Sequence, residues 1–229
     1  MKVKRTEHKF IINRMEALLL KQKLDKILPR DVHSTSEEGY EIRSLYFDTV
    51  WDTCCAEKED GLRYHEKIRA RIYGTDENVI KLESKRKNGE FQVKQTMMIS
   101  KETLEQLCKG NYHVLLEYDN PLAAYFYNKL SSGMVPKNII QYQRLSFCLN
   151  INNIRITFDS DVRATESCID LFQDPLLAHP ILPQNLVILE VKYNDFLLDY
   201  IKQALQSVEG KPSSFSKYFS GRSFYRHMI

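Results

Sequence analysis

The sequence predicts an α+β fold, a closed antiparallel β-barrel with helices packed outside it. Three observations lead to this prediction. Most of the chain consists of short segments in which apolar and polar residues alternate with the period of two that strands require. Several of these segments repeat one design, with basic residues on one face and apolar residues on the other. Helical periodicity is confined to a few short segments between them.

The composition is that of a globular protein with a substantial core. The 229 residues suit a single domain spanning residues 1–229, and neither a linker nor an internal repeat divides them. Hydrophobic residues make up 43% of the chain, and 33 Lys and Arg stand against 30 Asp and Glu, for a net charge of +3. A broad nucleic-acid interface needs a more basic chain, so no nucleic-acid partner is expected.

The sequence also bears on the location of the protein. No apolar run reaches the length of a membrane span, and no secretory apolar stretch follows the first residues. The five cysteines are odd in number and include no C-x-x-C pair, which argues against a disulfide framework and against a zinc site. We therefore expect a cytoplasmic protein with reduced thiols, and the sequence carries no signal for its oligomeric state.

Four helices are predicted. The first follows Asn13, which forms with Glu16 the pattern of a capping box. The others begin near Ser100, at the Asn–Pro pair of residues 120–121, and after Asp195. The apolar residues expected on the buried face of the first helix are Met15, Leu18, Leu19, Ile27 and Leu28.

Eight segments are predicted to be strands. The Asn88-Gly89 dipeptide is a strong signal for a tight hairpin between two of them. The candidate strands are residues 6–12, 42–48, 64–73, 79–85, 90–99, 139–149, 155–160 and 186–193.

Charged residues recur at alternate positions in five of these segments, and in a strand such positions share one face. The five sets are Glu7 and Lys9; Lys67, Arg69 and Arg71; Lys81, Glu83 and Lys85; Arg155, Thr157 and Asp159; and Glu190 and Lys192. On one strand such a set indicates an ordinary solvated face, and that interpretation stays open. On five strands of one closed barrel, the charged face is expected to point inward.

A lumen lined with lysine and arginine requires anions, because unpaired buried cations are costly. A chain of phosphates is the matching ligand, since the arginine fork and the lysine ammonium both bind phosphate oxygens. A divalent cation can bridge phosphates and the carboxylates in these sets. Glu190 is the better metal candidate because it lies in an apolar run, and a salt bridge to Lys192 is the alternative.

Nine segments, in order along nearly the whole chain, resemble the VTC domain, the polyphosphate polymerase domain of the vacuolar transporter chaperone family. That family belongs to the triphosphate tunnel metalloenzymes, together with the adenylate cyclase and thiamine triphosphatase (CYTH-like) group. The segments are Glu7–Phe10 (EHKF), Ile42–Asp48 (IRSLYFD), Arg69–Gly74 (RARIYG), Leu82–Lys85 (LESK), Val93–Lys94 (VK), Tyr142–Arg144 (YQR), Ile154–Thr157 (IRIT), Leu189–Lys192 (LEVK) and Phe215–Tyr218 (FSKY).

The resemblance implies an activity and a set of site residues. It implies a tunnel fold with a helix near the C-terminus plugging one end, and transfer of the ATP γ-phosphoryl group to a growing polyphosphate. It implies Mn²⁺ or Mg²⁺ held by Glu190, and pyrophosphate or tripolyphosphate as further ligands. The residues expected to bind the triphosphate or the polyphosphate are Lys9, Arg69, Arg71, Lys85, Lys94, Arg144, Arg155, Lys192 and Lys217.

The sequence departs from the family pattern at two positions. Ser214 stands where family members often have a phosphate-binding lysine. Arg5 replaces the first glutamate of the Glu-x-Glu-x-Lys pattern of the triphosphatases, which leaves Glu7 and Lys9 and favours a polymerase. Lys211, Arg222 and Arg226 are candidates to compensate for the missing lysine.

Two other functions stay open at this point. One is hydrolysis of tripolyphosphate or a nucleoside triphosphate on the same fold, since water in place of a phosphate acceptor needs little rearrangement. The other is a non-catalytic module that binds polyphosphate or inositol phosphates. Whether Glu7 or Glu83 also binds metal is open as well.

Overall fold

The protein is described from a computed structural model that covers residues 5–34, 36–89 and 91–226. These residues form a mixed structure in which strands predominate. The strands are β1 (Arg5–Asn13), β2 (Tyr40–Thr49), β3 (Tyr64–Tyr73), β4 (Ile80–Asn88), β5 (Phe91–Ile99), β6 (Met134–Leu149), β7 (Ile154–Thr165), β8 (His179–Pro180), β9 (Leu186–Asn194) and β10 (Lys211–Pro212). The α-helices are α1 (Arg14–Leu24), α2 (Thr53–Glu59), α3 (Lys101–Cys108), α4 (Ala123–Ser131), α5 (Asp199–Leu205) and α6 (Lys217–Arg226).

The strands belong to one sheet. Its hydrogen-bonded order is β10-β1-β9-β7-β6-β2-β3-β4-β5, with β8 beside β7. The pairs of β1 with β9, β7 with β9, β2 with β3, β3 with β4 and β4 with β5 are antiparallel. The predicted antiparallel α+β fold is therefore confirmed. The strand order is linear, and no ladder joins β10 to β5 within the described ranges. The hydrogen bonding therefore does not show the predicted closure of the barrel.

The described residues group into two compact units. Unit 1 draws on Met1–Glu41, Tyr142–Val162 and Leu182–Phe215, and unit 2 on Ile42–Gln141, Arg163–Ile181 and Ser216–Ile229. Strands β2, β6 and β7 each contribute residues to both units. The single-domain interpretation stays a prediction. No helix in the described part of the chain has the length and apolar character that a membrane span requires.

Each unit has its own apolar core. In unit 1, α1 and α5 pack with apolar residues of β7 and β9, and Phe158 and Leu189 are fully buried in this core. In unit 2, α3 and α4 pack against β3, β4 and β5. Ile68, Ala70 and Ile72 of β3 are fully buried there, and they alternate with the charged residues of the same strand. The period of two thus separates a core face from a charged face, as the sequence predicts.

Helix α1 begins at the predicted cap. The Asn13 side chain accepts a hydrogen bond from the Glu16 backbone N–H at 2.8 Å, and Glu16 accepts one from the Asn13 N–H at 2.9 Å. This reciprocal pair satisfies two backbone donors that a helix start leaves without partners.

Four of the five residues predicted on the buried face of the first helix are exposed, among them Ile27, whereas Leu28, beyond the end of α1, is buried as predicted. Met15, Leu18 and Leu19 are 64%, 48% and 53% exposed, whereas Ala17, Leu20 and Leu24 are buried. The buried residues follow the spacing of three and four that places side chains on one helical face. Leu18, Leu19 and Leu20 are consecutive, so the run of leucines alone does not fix which of them faces the core.

The corrected face gives a stability prediction. Replacing Leu20 by Ala removes a buried side chain and leaves a cavity, so we expect a loss of about 2–5 kcal/mol in the free energy of unfolding. The matched control is Leu18→Ala in the same turn, for which the change stays within about 0.5 kcal/mol because the side chain is half-exposed. Urea unfolding followed by circular dichroism measures both, and equal losses would contradict the assignment.

Candidate functional site

The register of unit 2 places three lysines in one row across three strands. Lys67 of β3 lies opposite Lys85 of β4, and Lys85 lies opposite Lys94 of β5. Like charges directly opposite one another in a sheet are unfavourable. A row of this kind is therefore expected to attract anions.

The next row of the same face holds a buried carboxylate surrounded by cations. Glu83 is 1% exposed and lies opposite Arg69. The Arg69 Nε donates to Glu83 Oε2 at 2.8 Å, Lys94 Nζ lies 2.5 Å from Oε1, and Arg71 Nε lies 3.8 Å from Oε2. Burial on its own raises the pKa of Glu83, but the charges of Arg69, Arg71 and Lys94 outweigh burial and hold this pKa well below its usual range. Glu83 is therefore ionised and holds Arg69, Arg71 and Lys94 around it.

Tyr46 completes this row and was missed as a site residue. It lies opposite Arg69 in the ladder of β2 with β3, and the Arg69 Nη1 donates to its hydroxyl at 2.9 Å. Burial opposes ionisation of the phenol, but the guanidinium groups of Arg69 and Arg71 and the ammonium of Lys67 lower the pKa of Tyr46 to about 8. Strand parity and register could have identified this residue, because Tyr46 lies directly opposite Arg69, a predicted phosphate-binding arginine.

Helix α6 holds the Tyr46 ring in place. Tyr218 stacks on Tyr46 with ring centroids 4.9 Å apart, and its hydroxyl donates to Asp48 Oδ2 at 2.5 Å. Asp48 is fully buried and also accepts the backbone N–H groups of Cys54 and Cys55 at the start of α2. Burial and the neighbouring Asp48 raise the pKa of Tyr218 far above its usual value, so this phenol stays protonated and keeps donating.

The C-terminal segment supplies further contacts within unit 2. Lys67 Nζ donates to Ser216 Oγ at 2.7 Å, and Lys217 is the first residue of α6 and is half-buried. Arg222 pairs with Asp52 and Glu166, each at 2.5 Å, so it is engaged by carboxylates. A helix does lie where the family pattern implies one, and plugging of an end stays a prediction.

Positions near Ser214 bear on the missing family lysine. Ser214 is exposed. The side chains of Lys211 and Arg226 lie outside what the structure describes.

In unit 1, opposite charges face each other across β1 and β9. Lys9 lies opposite Glu190, and Glu7 lies opposite Lys192. The Lys192 Nζ is 2.9 Å from Glu190 and 3.9 Å from Glu7, and the Lys9 Nζ is 3.3 Å from Glu7 and 3.6 Å from Glu190. We call these four residues the β1–β9 cluster. Both ammonium groups are thus shared between both carboxylates.

The carboxylates of the β1–β9 cluster are largely shielded from solvent, and its lysines are partly exposed. The Glu190 side chain is 8% exposed and that of Glu7 is 17% exposed. Burial raises the pKa of Glu190, but the charge of Lys192, a hydrogen bond with Glu7, and then the charges of Lys9 and Arg144 lower it well below its usual range. Burial lowers the pKa of Lys192, whereas for Lys9 the attraction of Glu190 and Glu7 outweighs burial and raises the pKa.

Two arginines of unit 1 are held by acids. Arg144 forms a bidentate pair with the buried Asp159, with Nε and Nη2 at 2.6 and 2.7 Å from its two oxygens. Arg155 donates to Asp31 at 2.9 Å and to Ser146 Oγ at 3.0 Å, and its side chain is 40% exposed. Arg144 is therefore fixed in one orientation, while the guanidinium of Arg155 is partly open to solvent.

A divalent cation can be tested against these residues. No group of three or more His, Cys, Asp and Glu suitable for a metal occurs among residues 5–34, 36–89 and 91–226. Mg²⁺ and similar ions, however, are often held by one or two carboxylates together with substrate phosphates and water. Glu7 and Glu190 supply such a pair on neighbouring strands, so these residues fit the ion.

Comparisons with known proteins identify the family of this chain. The chain matches the VTC domain over residues 4–225. It belongs to the VTC domain family. No match was found among the curated proteins.

Two solved structures are similar to this VTC domain. A candidate adenylate cyclase from Bacillus halodurans is similar to it at a TM-score of 0.51 and 11% identity, over 93% of this chain and 96% of that one. One from Vibrio parahaemolyticus reaches a TM-score of 0.48 at 12% identity, over 96% and 98%. The first likeness confirms the predicted fold class and, at this identity, concerns the fold alone.

The predicted site residues fall into both units. In unit 2 the structure brings Arg69, Arg71, Lys85 and Lys94 together, with Lys217 at the start of α6. In unit 1 it brings the β1–β9 cluster together and places Arg144 near enough to Glu190 to affect its pKa. The salt bridge between Glu190 and Lys192, the alternative to a metal role, is present. The metal role of Glu190 stays a prediction.

The pKa of Tyr46 can be measured by titration. We expect one tyrosine of the VTC domain to ionise near pH 8, because Arg69, Arg71 and Lys67 stabilise its phenolate. Absorbance of the phenolate band as a function of pH measures this, and Tyr46→Phe should remove the step. A step that persists in that variant would assign it to another tyrosine.

Proposed function

We propose that this VTC domain is a polyphosphate polymerase that transfers the γ-phosphoryl group of ATP to a growing phosphate chain in the presence of Mn²⁺ or Mg²⁺. The observation that carries the proposal is the lysine row of Lys67, Lys85 and Lys94, next to Arg69 and Arg71. Membership of the VTC domain family and the match of the two carboxylates to a divalent ion support it.

Phosphoryl transfer depends mainly on positioning and on neutralising charge, and the charged faces suit both tasks. In the proposed step, a terminal oxygen of the acceptor phosphate forms a bond to the γ-phosphorus. The bond from that phosphorus to the oxygen bridging it to the β-phosphate breaks, and ADP leaves with the electron pair. Chain length grows by one phosphate, and no covalent enzyme intermediate is required.

The side chains have different proposed roles, according to their chemistry. Arg69 and Arg71 are held in place by Glu83, and their guanidinium groups supply positive charge and N–H donors suited to phosphate oxygens. The lysine row contributes point charges along the chain, and Lys217, Arg144 and Arg155 are further proposed phosphate contacts. A bound divalent ion neutralises negative charge that develops on the transferring phosphates. Glu190, together with Glu7, would hold it.

The assay that tests polymerisation uses purified protein, ATP and Mn²⁺, with products separated on a gel that resolves polyphosphate. We expect a ladder of phosphate chains. Release of phosphate without a ladder would assign the fold to hydrolysis of the triphosphate. Tight binding of tripolyphosphate with neither product would assign it to a binding module.

The lysine row makes a separate binding prediction. Lys85→Ala removes one charged contact to phosphate, worth roughly 1.5–3 kcal/mol, so tripolyphosphate affinity should fall about tenfold or more. Lys109→Ala is the matched control, because it removes the same charge from an exposed position at the end of α3. Calorimetry measures both affinities, and an equal effect of the two substitutions would contradict the proposed contact.

A further inference from the structure

The β1–β9 cluster contains equal numbers of cations and carboxylates. Two ammonium groups, of Lys9 and Lys192, meet two carboxylates, of Glu7 and Glu190, in four contacts between 2.9 and 3.9 Å. Its four formal charges sum to zero. A cluster of this kind attracts a phosphate chain weakly, although it contains two of the predicted phosphate-binding lysines.

Two lysines carry the same total charge as one divalent ion. Ionised carboxylates buried without cations would be strongly destabilising, so cations must lie beside Glu7 and Glu190 whenever both are ionised. In the structure that cation is the pair of ammonium groups. A divalent ion bound between the same carboxylates would replace them without changing the local charge balance.

The neighbouring charged groups define which parts of the site can move. Arg144 is locked to the buried Asp159 by two hydrogen bonds, so its guanidinium stays where it is. Lys9 and Lys192 each have a flexible four-carbon stem and share their partners at distances up to 3.6 and 3.9 Å. The lysines are therefore the mobile cations of this site.

We propose that Lys9 and Lys192 take the place of the divalent ion at Glu7 and Glu190, and turn to the phosphate chain when that ion binds. This inference rests on the proposed function in taking a phosphate chain as the ligand and Glu7 and Glu190 as the residues that hold the ion. It makes binding of the ion and of the chain mutually reinforcing, and by linkage each must raise the affinity of the other by the same factor. The carboxylates thus restrain the lysines until the ion arrives.

The proposal predicts a gain of affinity from the loss of a metal ligand. Glu190→Gln keeps the size of the side chain and removes one restraint on both lysines. In the presence of EDTA we expect this variant to bind tripolyphosphate about fivefold or more tightly than the wild type, the lower end of usual coupling factors. Added Mn²⁺ should strengthen binding by the wild type and have little effect on the variant. Isothermal titration calorimetry measures all four affinities.

The control separates local release from a general change of charge. Glu105→Gln alters the net charge by the same amount at an exposed position on α3, and its affinity for tripolyphosphate should match that of the wild type. Unchanged or weaker binding by Glu190→Gln in EDTA, in a variant with a normal thermal unfolding curve, would overturn the proposal. So would an equal gain in Glu105→Gln.

A second variant tests the competition from the other side. Lys192→Met removes one ammonium that competes for Glu190, so Mn²⁺ should bind more tightly in the absence of phosphate, while tripolyphosphate binds more weakly. Weaker binding of Mn²⁺ by the folded variant would contradict the exchange. Where Lys192→Met does not fold, Glu190→Gln decides the question alone. Neither experiment uses ATP turnover, so they can succeed even where the gel shows no polyphosphate ladder.

Discussion

The fixed pairing of neighbouring strands is the constraint on which the charged faces depend. A strand directs alternate side chains to opposite faces, so burial of Ile68, Ala70 and Ile72 leaves the residues between them together on the other face. Register then decides which charges meet across strands. It places Lys9 against Glu190 in unit 1 and Lys67 against Lys85 in unit 2. A slip of one residue would send every one of these side chains to the opposite face.

The same rule produces two different electrostatic environments. In the β1–β9 cluster, opposite charges meet and cancel, which favours a stable apo site that responds to a cation. In the lysine row of unit 2, like charges meet, and this arrangement costs stability in the absence of an anion. Glu83 limits that cost by holding Arg69, Arg71 and Lys94 around one buried carboxylate. A pair of adjacent strands can thus place opposite charges or like charges side by side, depending on its register.

Predictions from the sequence were correct where a local pattern decides the structure. They were wrong where the structure depends on which residues pack against the segment. The capping box at Asn13 and Glu16 needs only four consecutive residues, and it is present in the structure. The buried face of α1 depends on what the helix packs against, so the consecutive leucines misled the prediction. The alternation of charge and apolar residues predicted the two faces of β3 correctly.

The roles of tyrosines could not be predicted in the same way. Tyr46 is apolar enough to suit a core, and only its cross-strand position reveals its hydrogen bond with Arg69. The Tyr218 hydrogen bond to Asp48 joins residues 170 positions apart in the chain, which no local pattern describes. Among the charged residues, alternation identified Glu190 and Lys192, whereas their sharing of partners with Glu7 and Lys9 required the register of β1 and β9.

The hydrogen bond of Tyr218 to the buried Asp48 has a consequence for handling the protein. Removal of the last residues from Tyr218 onward would strip the phenol from a carboxylate in the interior and uncover the ring of Tyr46. The C-terminus is accordingly a poor place for truncation. Shortened versions or circular permutants of this domain should retain α6 in full, with any new chain ends introduced in an exposed turn such as residues 75–78.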